Sequence, residues 1–341
     1  MPQQTALMIG GAGAQGVPIV KALANDPKYA IRVLTRNPNS DTAKELSALP
    51  NVSIAQGDAS NETDLRNAFQ AVDLAFVNTN SFALGIRAEI YWGMRIFEIA
   101  IESGVKHYIW SALEDALALS GYDEACRVGH YEGKSKVTEW MRSKPQTPMR
   151  WSVLTTGPYI EMLSELLRPR EGEDGTWLFR FPLKDGAVPF VHLDDVGNAV
   201  KWLLEHPGEA AGMNLKMSVE HASGECVAKS FTAVTGQPSR YEDVEIEQWM
   251  RESPPGPLEY KMGQGYDGND PDDPTLLTVE QNFTKWWNLY QRSGENKGLL
   301  KTDYELLDRI LPDRVKSVAE WMEKVGYTGE RRFVIKNYSG Q

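Results

Sequence analysis

Ala6-Leu7-Met8-Ile9-Gly10-Gly11-Ala12-Gly13-Ala14-Gln15-Gly16 runs from a short apolar segment straight into a cluster of glycines. Val17-Pro18-Ile19-Val20-Lys21-Ala22-Leu23 then resumes with helical spacing. Strand, glycine turn and helix in that order predict a phosphate cradle. Glycines permit the tight turn and let the backbone approach a pyrophosphate, whose charge then sits at the helix N-terminus. Two spacings fit at once, Gly11-x-Gly13-x-x-Gly16 and Gly10-x-x-Gly13-x-x-Gly16, and both point to a dinucleotide.

The next strand distinguishes between dinucleotides. Ala30-Ile31-Arg32-Val33-Leu34 reads as a second buried strand ending in Thr35-Arg36-Asn37-Pro38. An NAD site places an acidic residue here on the ribose 2′-OH, whereas an NADP site uses a nearby Arg. No Asp or Glu appears before Asp41, so Thr35, Arg36 and Asn37 predict NADP(H).

Outward from these two strands the alternation continues. Val52–Gln56, Leu74–Val77, His107–Trp110 and Trp151–Leu154 read as further strands. Ile86, Ile90, Met94, Phe97 and Ile101 recur at three and four residues, marking an amphipathic helix ended by Gly104. Alternating strands and helices imply an α/β chain with a Rossmann-like, doubly wound parallel sheet. Residues 1–155 are expected to form the NADP(H)-binding domain, and residues 156–341 mainly a smaller C-terminal α+β substrate lobe. Within that lobe, residues 253–274 are rich in Pro, Gly and Asp and read as a long functional loop. A helical block from Glu280 to about Lys324 carries Phe283, Trp286, Trp287, Tyr290 and Trp321. These aromatics are expected to pack the lobe onto the large domain, with a pocket wall for a planar substrate as the alternative.

Bulk properties exclude several classes. With 36 basic and 47 acidic residues the net charge is −11, which would repel a phosphate backbone, so no direct nucleic-acid partner is expected. Cys126 and Cys226 show no CxxC or Cys/His spacing, and the five histidines are scattered, so neither disulfide framework nor metal site is expected. No apolar run reaches 18 residues and no signal-like segment opens the sequence; the expectation is a cytoplasmic chain without a membrane span.

Ligand-contacting loops should follow the carboxyl ends of the strands. Asp58 and Ala59 follow the third strand and can meet the adenine. Asn78, Thr79 and Asn80 follow the fourth, beside ribose and pyrophosphate. Ser111 follows the fifth, and Gly157, Pro158 and Tyr159 the sixth, with Met162 just beyond on the nicotinamide side. Gly129-His130-Tyr131-Glu132-Gly133-Lys134 is the candidate catalytic segment. Short-chain dehydrogenases use Tyr-x-x-x-Lys, because i and i+4 share a helix face. Here the pair at that spacing is His130 and Lys134, with Tyr131 one position away. Lys134 could anchor the nicotinamide ribose or, partly desolvated, act as acid/base.

Taken together these residues resemble the NmrA-like family of atypical short-chain dehydrogenases, near the isoflavone-reductase-like proteins and most like its fungal members. The second glycine spacing is typical of extended and atypical members of that superfamily. The resemblance runs from about Thr5 to Gly329. It rests on Ile9 to Gly16, Leu34 to Pro38, His130 to Lys134, Pro189 to Gly197 and Glu320-Trp321-Met322. It implies an NADP(H)-binding Rossmann domain, a small substrate lobe and a lysine at the position of Lys134. The stretch from Pro189 resembles a segment that returns the chain to the large domain, about residues 189–205, so Asp194 and Asp195 are expected to cap a helix. The resemblance implies an NADPH-dependent reductase of a carbonyl, imine or conjugated double bond in a small, aromatic metabolite of specialised metabolism. In that reading Lys134 anchors the ribose and aids proton transfer, while His130, Ser111 or Tyr131 polarises the acceptor. The alternative is a non-catalytic NADP(H) sensor that binds a protein partner such as a transcription factor, with access to the nucleus. Either a monomer or a homodimer is compatible with the sequence.

Overall fold

The structure, a computed structural model, describes residues 3–334. Its first half follows β1 (Gln4–Ile9), α1 (Gly16–Ala24), β2 (Tyr29–Thr35), α2 (Asp41–Ser47), β3 (Val52–Gln56), α3 (Glu62–Ala68), β4 (Leu74–Val77), α4 (Ser81–Glu102), β5 (His107–Ala112), α5 (Ala116–Leu119), α6 (Gly129–Arg142) and β6 (Arg150–Thr155). Six strands pair in parallel in the order β6-β5-β4-β1-β2-β3. Every residue of β4 and β5 is buried, as expected where helices cover both faces of a sheet. The strand order reverses between β1 and β4, the point at which such sheets open a crevice for ligands.

Glycine is demanded at the β1–α1 turn by space and by angle. Gly10 has φ +78°, and a Cβ there would lie 2.5 Å from the Asn78 carbonyl oxygen. A Cβ on Gly16 would lie 2.3 Å from the Gly10 oxygen and 2.4 Å from Gly11 Cα. Gly13 differs, because its φ is not positive and an added Cβ would meet only the Gly10 oxygen, at 3.2 Å.

α4 buries a different stripe from the one its isoleucines suggest. Ile86, Glu89, Trp92, Gly93, Ile96, Phe97, Ile99 and Ala100 are buried, whereas Ile90, Met94 and Ile101 are only partly so. The stripe is set by the approach of α6: a Cβ on Gly93 would come within 2.6 Å of Val137. Gly104, at φ +79°, ends the helix, with Val105 donating back to the Ala100 carbonyl.

The second half comprises β7 (Arg170–Glu171), β8 (Trp177–Arg180), β9 (Val188–Pro189), α7 (Leu193–Glu205), α8 (Pro207–Ala210), β10 (Asn214–Lys216), β11 (His221–Ala222), α9 (Gly224–Thr235), β12 (Ser239–Glu242), α10 (Ile246–Glu252), α11 (Val279–Gln291), α12 (Tyr304–Ile310) and α13 (Val318–Val325). β12, β8 and β7 form a small sheet beside a core that includes Phe179, Phe231, Trp249, Trp287 and Trp321. The chain returns to the large sheet twice. α7 lies on α1, where a Cβ on Gly197 would come 2.7 Å from the Pro18 oxygen. β10 then adds a seventh parallel strand beside β6.

Neither Asp194 nor Asp195 caps α7, contrary to expectation. The N-cap position is His192, and no side chain of that residue caps the helix. Glu161 takes the role, accepting from Leu193 N–H at 3.0 Å. Asp194 is exposed, and Asp195 turns inward to accept from the Val315 amide at 3.0 Å. The 253–274 loop is a strap on the first turn of α4. Gly263 N–H donates to the Phe82 carbonyl at 2.9 Å and Asn269 Nδ2 to the Leu84 carbonyl at 2.7 Å. Trp92 Nε1 donates to Tyr266 Oη at 2.7 Å. The strap meets α4 where Gly85, at φ 72° and ψ 172°, breaks its helical geometry. No helix among the described residues is long and apolar enough to cross a membrane.

Candidate active site

At the carboxyl ends of β1, β4, β5 and β6 lies an open cleft. Its floor holds Gly10, Gly13, Ala14, Gln15, Asn78, Thr79, Asn80, Ser111, Lys134, Thr156, Gly157 and Pro158. Its other wall is aromatic and apolar: Phe82, Leu113, His130, Tyr131, Tyr159, Met162, Phe283 and Trp286. Most residues predicted as separate loop candidates are thus brought to one space. Gly11, Ala12 and Gly16 shape the turn beneath it. Thr35, Arg36, Asn37, Asp58 and Ala59 lie away at the ends of β2 and β3.

Gln15 fastens the floor. Its amide donates to Thr156 Oγ1 at 2.9 Å and accepts from Asn78 Nδ2 at 3.2 Å and Ser111 Oγ at 2.7 Å. One buried side chain therefore ties the glycine turn to three neighbouring strand ends. Ser111 spends its proton in this network. No side chain caps α1; in its first turn Val17 N–H donates to the Gly13 carbonyl at 3.0 Å and Pro18 has no N–H.

Lys134 sits in a shell of acceptors. Nζ lies 3.0 Å from Asn78 Oδ1, 3.0 Å from the Thr79 carbonyl, 3.2 Å from Thr79 Oγ1 and 3.4 Å from the Ser111 carbonyl. Its countercharge is Glu89 Oε1 at 3.3 Å, on a side chain with no exposure. Thr79 and Ser81 hydroxyls donate to the same oxygen at 2.6 and 2.8 Å. Burial pushes the Lys134 pKa below the usual lysine range, and the Glu89 carboxylate opposes that fall. Room for Glu89 comes from Gly133, where a Cβ would lie 2.5 Å from Glu89 Oε2.

His130 and Lys134 share a face of α6, and His130 stacks on Phe82 with ring centroids 4.8 Å apart. Its Nδ1 lies 3.1 Å from Asn282 Oδ1. Burial lowers the His130 pKa to about 4 and holds the ring neutral. Tyr131 hydrogen-bonds hydroxyl to hydroxyl with Tyr290, and burial raises its pKa to about 12, so it too is neutral. Of the aromatics in the C-terminal block, Phe283 and Trp286 border the cleft and Tyr290 backs Tyr131, while Trp287 and Trp321 are packed in the lobe core.

Arg36 is exposed at the end of β2, and no side chain among the described residues pairs with it. The backbone around it is set by Asn37 N–H on Thr35 Oγ1 and by Asn39 N–H on Asn37 Oδ1. The Asp58 carboxylate accepts from Ser60 N–H and Oγ at 2.8 and 2.7 Å.

Glu89 and Asn282 escaped the sequence reading, which placed Tyr290 only among the aromatics of the C-terminal block. One signal for Glu89 was available: it stands three residues after Ile86 and four before Gly93, which puts a carboxylate on the buried stripe.

A parallel sheet reversing at β1 and β4, with a glycine turn at the reversal and a smaller lobe across the strand ends, defines a Rossmann-like protein. The chain belongs to the NmrA-like family, whose model matches residues 2–267. It is 29% identical over 253 residues to the NmrA-like family domain-containing oxidoreductase lnaB of Aspergillus flavus, covering 70% of this chain and 75% of that one. It is likewise 29% identical over 262 residues to the oxidoreductase hkm9 of Aspergillus hancockii, covering 72% and 77%. Among solved structures it resembles NmrA, a negative transcriptional regulator, in complex with NADP, with a TM-score of 0.69 at 20% identity over 96% of this chain and 99% of that one. The NADPH-dependent quinone oxidoreductase QOR2 of Escherichia coli, complexed with NADPH, gives 0.68 at 17% identity over 95% and 100%. At these identities the likeness is one of fold. The family match ends before α11, so Asn282, Phe283, Trp286 and Tyr290 lie beyond it.

Proposed function

We propose that this protein is an NADPH-dependent reductase acting on a carbonyl, imine or conjugated double bond of a small, planar metabolite, in specialised metabolism. The observation that carries the reading is one continuous cleft, from the glycine turn past Lys134 to the aromatic wall of Phe82, Phe283 and Trp286. Residues 1–155 would hold most of the cofactor and, through Phe82, His130 and Tyr131, part of the substrate side, which Met162, Phe283 and Trp286 of the later chain would complete.

The residues fit the cofactor. Above Gly13 an added Cβ enters open cleft except for its contact with the Gly10 oxygen, so the turn leaves space that only glycine keeps free. The turn that leads into α1, over Ala14, Gln15 and Gly16, would offer amides to a pyrophosphate at the helix N-terminus. Unpaired Arg36 can take a 2′-phosphate with charge-assisted hydrogen bonds. Asn78, Thr79, Asn80, Gly157, Pro158 and Tyr159 continue the path, with Asp58 and Ala59 beside the adenine end. When bound, NADPH supplies a hydride. Lys134 keeps positive charge on the floor and can exchange its 3.4 Å contact with the Ser111 carbonyl for a ribose hydroxyl. Tyr131, held neutral and accepting from the Tyr290 hydroxyl, would donate its O–H to an acceptor oxygen at the wall. Ser111 is not, since its proton is on Gln15. The oxidoreductase names of fungal relatives and the NADPH of QOR2 support the reading.

The test is NADPH oxidation, followed by absorbance, against quinones, enones, imines and ketones. Turnover of at least one class is expected. Tight NADPH binding with no turnover of any class would instead favour the cofactor sensor.

A further inference from the structure

The ring of His130 is met at Nδ1 by a residue 152 positions along the chain. Asn282 Oδ1 lies 3.1 Å from Nδ1, and the His130 backbone N–H reaches the same oxygen at 3.4 Å. A backbone N–H only donates, so the end of the Asn282 amide that faces it is the oxygen; the reversed amide would set N–H against N–H. With that oxygen beside it, Nδ1 carries the ring proton and Nε2 keeps a bare lone pair. Nε2 has no partner among the described residues and, unlike Asn282 Nδ2, it is not sealed from the cleft that His130 borders.

The surroundings narrow what could meet that lone pair. Phe82 stacks on the His130 ring, and Phe283 lies 6.0 Å away and nearly parallel. Lys134 is the one charged side chain bordering the cleft among the described residues, and Glu89 already neutralises it. Among the described residues that border the cleft no cation is left to compensate an anionic ligand on the aromatic side, where burying an uncompensated charge is costly.

We propose that the substrate of this reductase is an uncharged planar molecule that presents an N–H or O–H donor to His130 Nε2, which makes His130 a specificity residue. The proposal rests on the reductase reading and adds the chemical class it accepts. It also removes one role considered for His130: a bare Nε2 cannot polarise a carbonyl, and that task stays with Tyr131. An analogue lacking the donor leaves Nε2 desolvated and unpaired, which is how a polar site rejects an isostere.

The test uses the full-length protein with NADPH, whose own binding is first followed by calorimetry. β-Naphthol, its methyl ether and β-naphthoate are then titrated into the NADPH complex. The naphthol is expected to bind about fivefold more tightly than the ether, the discrimination of one neutral hydrogen bond, with naphthoate weakest. His130→Phe should erase the difference between the first two. Heteronuclear NMR on histidine-labelled protein reads the tautomer directly, and the proton is expected on Nδ1. Equal binding of naphthol and ether, preference for naphthoate, saturable binding of none of the three, or a proton on Nε2 overturns the proposal. Failure of NADPH to bind would overturn the reductase reading instead, while the tautomer measurement still judges the role of His130.

Discussion

The floor of the cleft and its aromatic wall are held by different means. On the floor, Asn78, Ser111 and Thr156 stand at the ends of adjacent parallel strands, cross-linked by short polar contacts to the Gln15 amide at the start of α1. On the wall, Phe82, Phe283 and Trp286 come from helices α4 and α11, far apart in the chain, and are held by ring contacts at 5.6–6.3 Å. A polar network over a sheet fixes positions closely, because each group has few partners at set distances. An apolar wall accepts changes of shape more cheaply. Floor changes should therefore alter every bound species, and wall changes should alter which substrate is taken.

The largest effect is expected from Gly13→Val. Its backbone is not left-handed, so the added side chain burdens the cleft rather than the fold. NADPH binding should vanish by calorimetry while the melting temperature stays near that of the parent. A folded Gly13→Val protein that binds NADPH would place the phosphates elsewhere and break the contrast between floor and wall.

Lys134→Ala comes next. Turnover at saturating NADPH should fall about 10²–10⁴-fold, whereas loss of one charged hydrogen bond costs about 1.5–3 kcal/mol of cofactor binding. The change strands Glu89 as a buried carboxylate, so it is best paired with Glu89→Gln. A pair that turns over at the parental rate removes Lys134 from the chemistry.

Glu89→Gln alone tests the ion pair through pH. The carboxylate raises the Lys134 pKa against burial, so its removal leaves burial unopposed and lowers the pKa further. An alkaline limb of the pH–rate profile set by loss of the Lys134 proton should then move to lower pH, with the acid limb unchanged. A stationary alkaline limb would show that Lys134 does not titrate in the rate.

The smallest effect is that of Arg36→Ala. The parent is expected to bind NADPH at least about tenfold more tightly than NADH, a difference of about 1.4 kcal/mol, and the variant should lose that preference. Equal affinities in the parent would remove the 2′-phosphate assignment while leaving the floor intact.

What could be read from the sequence follows the same division. Five of the six strands of the first half announce themselves through short apolar runs, β3 only through alternation, and the glycine turn marks the reversal, because local pattern and tertiary role coincide there. β10 is three residues long and carries no pattern of its own; it is a strand only because β6 offers it an edge. Asp195 looks like a cap by position, but its partner is an amide 120 residues away. Asn282 hides within a run of aromatics, and nothing near it in sequence reveals that it faces His130. The stripe on α4 was misplaced because hydrophobicity singles out isoleucines, whereas the close approach of α6 selects Gly93 and admits Glu89.

A protein engineer seeking heat resistance would single out Gly133, a glycine inside a helix, as a routine exchange for alanine, since glycine there costs roughly 1 kcal/mol in helix propensity. Here the added carbon would land 2.5 Å from Glu89 Oε2 and lever the carboxylate away from Lys134. The exchange would trade a more rigid helix for a disarmed lysine, so any stabilised version of this protein should be designed around an untouched residue 133.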